Sequence, residues 1–207
     1  MKLLRETIRR ILLESPCDTR NNKIYMAIDE LHHHRLKVHY KKSPSGFVIK
    51  FVSDTSYENA AYLDASTINV DLPCHGAFII GYTEVLPPYR HNSGFGALIY
   101  DIALELAGKK GLASDRDSVS GDKGAIRMWE YFYSSGDYDK KPFDNEDGDF
   151  TPNDPNDDCE ANSYLKHGGD YDDDQEYFQS HPLNNVYYKK DQSQPTIACL
   201  KERGLIV

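Results

Sequence analysis

From Pro87 the chain runs through His91-Asn92-Ser93-Gly94-Phe95-Gly96 into a stretch where Phe95, Leu98, Ile99, Ile102 and Leu106 recur at helical spacing. A turn of small residues at a helix start lets backbone N–H groups converge where the helix has no internal acceptors. The positive end of its dipole lies there too, and this combination binds phosphate. Gly94 and Gly96 leave the backbone approachable because neither carries a side chain. The same glycines would also serve a plain strand-to-helix turn. The preceding strand, the Pro87-Pro88 break, Tyr89-Arg90 and the helix beyond favour the phosphate reading.

The elements that must hold this turn can be read on both sides of it. Helical spacing predicts an amphipathic helix at 1–14 and a second at about 22–33, where Ile24, Ala27, Ile28 and Leu31 share a face. Alternation predicts strands at 35–42 and 46–54, joined by Ser43-Pro44-Ser45-Gly46, then a third within 61–72 and a fourth at 76–85. The helix after the turn ends at Lys109-Lys110-Gly111, a basic last turn followed by a glycine stop. A short strand at 112–115 follows, then a helix capped from 118–120 and running through Ala125, Met128, Trp129 and Phe132. A strand at 185–188 and a helix at 196–203 close the chain. The division is a leader or N-terminal helix at 1–14, a core at 15–136, an acidic loop at 137–180, and a C-terminal strand and helix at 181–207.

Composition limits the alternatives. The chain has 207 residues, 39% of them hydrophobic, enough for one core. No apolar run approaches the ~18 residues of a membrane span, and Arg5, Glu6, Arg9 and Arg10 interrupt what a secretory signal would keep apolar. Cys17, Cys74, Cys159 and Cys199 show no paired spacing, which favours structural free thiols in a reducing compartment. Residues 137–176 hold fifteen Asp and Glu against three Lys, so this segment alone carries −12 of a net −9 and the remainder is slightly basic. Neither part has the concentrated basic face of a nucleic-acid binder, so no direct nucleic-acid partner and no membrane are expected.

Val85-Leu86-Pro87-Pro88-Tyr89-Arg90 and His91 to Gly96 together resemble the central motif of the GNAT superfamily of acyl-CoA N-acyltransferases. That family commonly shows V-x-P-x-Y-R before Q/R-x-x-G-x-G/A. Here Arg90 stands one residue further from Gly94 than the pattern has it, and His91 takes the Q/R place. The run 122–129 resembles the family's second motif, N-x-x-A-x-x-x-Y, with Asp122 at the Asn position and Trp129 at the Tyr position. The resemblance implies an α/β (α+β) fold, with an antiparallel meander followed by a helix, a parallel strand and a helix. It implies acetyl-CoA or another acyl-CoA as cofactor and an amine on a small molecule or protein as acceptor. Its pyrophosphate would lie on Arg90, His91, Asn92, Ser93, Gly94, Phe95, Gly96 and Ala97, and its pantetheine on the backbone of Val85 and Leu86 where the fourth and fifth strands splay. Glu84 would be the catalytic base.

Other signals have plainer readings. Trp129 shares the apolar helix face of Ala125 and Phe132, which suits a core anchor, and an indole N–H cannot act as an acid at neutral pH. His32, His33 and His34 are consecutive and point about 100° apart on a helix, so they cannot chelate one metal. The acidic run fails calcium-loop spacing around Gly148, since loop position one would be Phe143. The leader ending Leu12-Leu13-Glu14 resembles those of internal head proteins of T4-like bacteriophages. That resemblance implies an alternative role as an inactive virion or host-interaction protein, with the acidic segment as its contact surface. The expected location is cytoplasmic, or the phage head interior.

Overall fold

The computed structural model describes residues 17, 22–55, 58–67, 77–90, 93–114, 123–144, 159–160, 182–190 and 194–207. The expected helix at 1–14 lies outside them, as do His91 and Asn92.

Strict alternation builds the first half. Strands β1 (Leu36–Ser43), β2 (Gly46–Ser53), β3 (Asn59–Thr67) and β4 (Phe78–Val85) form an antiparallel meander in the expected order. One face carries Leu36, Val38, Phe47, Ile49, Phe51, Leu63, Phe78 and Ile80, all buried. The period of two sends Lys37, His39, Lys50 and Tyr62 to the other face.

Two helices cover the apolar face. These are α1 (Asn22–His33) and α2 (Phe95–Ala107), the latter buried along almost its whole length. Strand β5 (Leu112–Ser114) returns parallel to β4, as a strand–helix–strand crossover requires. Then come α3 (Lys123–Ser134), β6 (Tyr138–Asp144), the two-residue β7 (Cys159–Glu160), β8 (Asn185–Lys189) and α4 (Pro195–Glu202). The sheet order is β1-β2-β3-β4-β5-β8-β6-β7, a mixed α/β arrangement.

The segment read as an acidic loop therefore opens with a strand, β6, paired antiparallel to β8. Its inward contact is aromatic: the Tyr138 ring packs 4.8 Å from Phe132. Lys140 meanwhile sets its ammonium 3.4 Å from the Tyr133 ring centroid. Of the β6 residues whose burial is described, Tyr138 alone is buried, followed by three charged residues, which leaves little apolar periodicity to read.

Two devices tie the C-terminus down. On α2, Asp101 and Glu105 receive the ammonium of Lys189 from β8, at 2.8 and 2.5 Å. The Glu105 carboxylate also accepts the N–H groups of Thr196 and Ile197, which are orphan donors in the first turn of α4. A disulfide joins Cys17 to Cys199 of α4. The expectation of free thiols is corrected for this pair: 182 residues separate the two, and only the folded topology brings them together. Among the described residues no helix is long and apolar enough to cross a membrane.

Candidate functional site

The site begins with an irregularity in β4. Its register against β3 runs Leu63↔Thr83 and Asp64↔Tyr82, then jumps to Ala65↔Ile80, leaving Gly81 as the extra residue of a β-bulge. A bulge bends its strand and increases its twist. Among the described residues, pairing with β5 covers Phe78↔Leu112, Ile79↔Ala113 and Ile80↔Ser114, and β4 continues five residues beyond. Leu86 donates its N–H to the Ala60 carbonyl at 2.9 Å, so it faces β3. Alternation then turns the backbone groups of Thr83 and Val85 toward the side that β5 has left. Ser114, the last residue of β5, is 3% exposed, and its hydroxyl has no hydrogen-bond partner among the described residues.

Beyond Val85 the chain makes a 3-10 turn at Pro87–Tyr89. Ser93 donates its hydroxyl to the Tyr89 carbonyl at 2.5 Å and accepts the Phe95 N–H at 3.2 Å, closing the loop onto the helix. Gly94 precedes α2 in the left-handed region, φ +71°. A Cβ there would stand 3.0 Å from the Ala27 Cβ, so Gly94 is fixed by backbone conformation and by the packing of α1. Gly96 differs: among the described residues a Cβ there would meet nothing within 4 Å. The N–H groups of Gly96 and Ala97 belong to the first turn, where the helix supplies no acceptors. Phe95 is fully buried and serves packing.

Arg90 does not reach over the helix start. Its Nε donates to the Val85 carbonyl at 2.6 Å, and its Nη2 lies 3.6 Å from Glu84 Oε1. Tyr82 donates its hydroxyl to the other Glu84 oxygen at 2.8 Å. That hydrogen bond, with lesser help from desolvation and from the charge of Glu84, raises the Tyr82 pKa. Glu84, Val85, Leu86 and Arg90 thus gather at the end of β4, and Ser93 to Ala97 form a second group at the start of α2.

Sequence reasoning missed the surroundings of Glu84. An open groove of about 630 Å³ lies over β3 and β4, lined chiefly by Glu58, Tyr62, Tyr82, Glu84 and Leu86. The Tyr62 and Tyr82 rings stand 5.9 Å apart. Burial first, and then Asp64, raises the Tyr62 pKa. Alternation within each strand hinted at an outward tyrosine, but their meeting depends on a register that the bulge shifts.

Trp129 is 0% exposed and packs among Tyr100, Phe132 and Tyr187 at 5.5–5.6 Å, a core role. The His34 ring stacks edge-on against Tyr89 at 5.4 Å. Among the described residues no three His, Cys, Asp or Glu side chains converge as metal ligands do. In comparisons with family models, curated proteins and solved structures, nothing matches this chain.

Proposed function

We propose that the protein is an acyl-CoA-dependent N-acyltransferase of GNAT type, most simply an acetyltransferase. The observation that carries this reading is the bulge at Gly81, with β4 running on past β5 toward a helix start that bears an open glycine. A ligand with an amide-containing arm and a phosphate end fits that layout. The arm would pair with the edge at Thr83 and Val85, and the phosphates would meet the N–H groups of Gly96 and Ala97.

Acyl-CoA would supply the acyl group as an activated thioester. Glu84 would take a proton from the acceptor ammonium, directly or through water, freeing the lone pair that forms the C–N bond as the C–S bond breaks. The departing thiolate leaves with the electron pair and takes up a proton from solvent. For Val85 to receive the arm, Arg90 must release its carbonyl, and the phosphates offer the guanidinium a stronger partner.

Acetyl-CoA at 100 times its dissociation constant should stabilise the protein by about 2.7 kcal/mol. A thermal melt reads this directly. Gly96→Glu fills the open space with a charge that repels phosphate yet suits a helix N-terminus, so the variant should fold and lose the shift. A wild type that melts unchanged with acetyl-CoA would count against the proposal.

The burial of Trp129 where the family usually places an acid favours a second reading. In it the chain is a phage-encoded virion or host-interaction protein that keeps the fold without the reaction. Cofactor-independent melting would be its signature.

A further inference from the structure

We propose that the ammonium groups of Lys42 and Lys110 form an anion site that takes a phosphate dianion, at the opposite end of α2 from the glycine turn. The site rests on its own geometry and stands whether or not the protein transfers acyl groups. Helix α2 has thirteen residues and is about 20 Å long, which sets this end well apart from Gly94.

Two turns meet there. Strands β1 and β2 join through Ser43 to Gly46, and α2 leads toward β5 through a 3-10 turn at Gly108–Lys110. Lys110 donates its ammonium to the Pro44 carbonyl at 3.4 Å, bridging the two turns. Lys42 donates to the Leu106 carbonyl in the last turn of α2. Both ammonium groups lie over one ring, that of the buried Phe78, at 5.9 Å for Lys42 and 5.3 Å for Lys110.

Capping α2 accounts for one of the three N–H donors of Lys42. It does not account for a second ammonium brought to the same ring. Like charges so placed repel: burial first, and then the charge of Lys110, lowers the Lys42 pKa. Elsewhere in the fold, cations that pack down take a carboxylate, Lys189 from Asp101 and Glu105 and Arg203 from Asp29. Among the described residues neither Lys42 nor Lys110 has such a partner. An anion between them would turn the repulsion into two attractions. Two positive charges match a dianion, whereas a single carboxylate leaves one in excess. Each ammonium spends one donor on a carbonyl and keeps two for ligand oxygens, and lysine meets phosphate as a point charge. A bound phosphate would brace the β1–β2 turn against the end of α2.

The test is a pH titration of the full chain by NMR, following the lysine Cε signals in phosphate, in acetate and in sodium chloride at equal ionic strength. Loss of a signal in Lys42→Gln identifies Lys42. Phosphate should raise the Lys42 pKa in a saturable way, with acetate weaker and chloride without effect. Lys110→Gln should weaken phosphate about tenfold, the scale of one charge-assisted hydrogen bond. Its wild-type residue makes one long contact with the β1–β2 turn, so the variant should fold, and in chloride it should raise the Lys42 pKa by removing the like charge. Gly96→Glu should keep the phosphate response, which separates this site from the glycine turn. Equal effects of phosphate and chloride, acetate bound as tightly as phosphate, a response that survives Lys110→Gln, or one that vanishes in Gly96→Glu would each overturn the inference. N-acetyl-phosphoserine methylamide, close to dianionic at neutral pH, distinguishes the sources. Tighter binding than inorganic phosphate assigns a phosphorylated protein side chain as ligand, and weaker binding assigns free phosphate.

Discussion

Replacing Lys189 with methionine should destabilise the protein by about 3–5 kcal/mol, the cost of leaving a buried ion cluster without its counter-charge. Asp101 and Glu105 are each only 3% exposed, and Lys189 is the cation that both carboxylates share. Thr196 would still donate its hydroxyl to Asp101, and α4 its two N–H groups to Glu105, but the ammonium that both carboxylates share would be gone. Urea unfolding of the two proteins measures the loss.

The pH dependence has a definite sign. Burial opposes the Lys189 charge, the two carboxylates outweigh it, and the pKa is raised above 10.5. A cation with a raised folded pKa contributes fully below its unfolded value and loses that contribution as pH rises through the folded one. The gap between wild type and Lys189→Met should therefore hold up to about pH 10.5 and close above it. Burial also raises the Glu105 pKa, with Lys189 opposing. An acid shifted this way is best tolerated below its unfolded value of 4.5, so acidification should return part of the variant's lost stability. A gap that ignores pH at both ends would mean that the cluster is not the cause.

Opening the Cys17–Cys199 bond should be the second large effect. Cross-linking residues 182 apart restricts the unfolded chain strongly, and removing such a bond typically costs about 2–5 kcal/mol. Cys199→Ser and reduction of the wild type should lower the melting temperature by similar amounts. Both should also loosen α4, whose Ile197 and Leu200 lie in the core. A reduced protein that melts with the oxidised one would show that the bond does not form in solution.

The parts of the fold that sequence alone made legible are those where one local pattern decides. Residues 22–33 carry an unbroken helical stripe, and α1 spans Asn22–His33. The hairpin was placed to within a residue because Leu36, Val38, Phe47, Ile49 and Phe51 alternate cleanly around a turn. What failed depends on distant partners. Strand β6 has one buried tyrosine and is ordered by pairing with β8, over forty residues later. The disulfide follows from where the two ends of the chain meet. The bulge at Gly81 shows in sequence only as a glycine within a strand, and the Tyr62–Tyr82 pair exists only in the shifted register. At the site, the glycine turn was legible from type and spacing, whereas Glu84 was singled out only by the family resemblance. The capture of Val85 and Glu84 by Arg90 was not, because a long flexible side chain chooses its partners in the fold.

Amide hydrogen exchange with and without acetyl-CoA reads the proposed cofactor path residue by residue. Binding of its arm along β4 and its phosphates at α2 predicts slowed exchange at Thr83, Val85, Gly96 and Ala97, with Tyr62 on the paired strand little changed. Unaltered exchange at those four amides under saturating acetyl-CoA, or protection confined to another surface, would contradict the acyltransferase account.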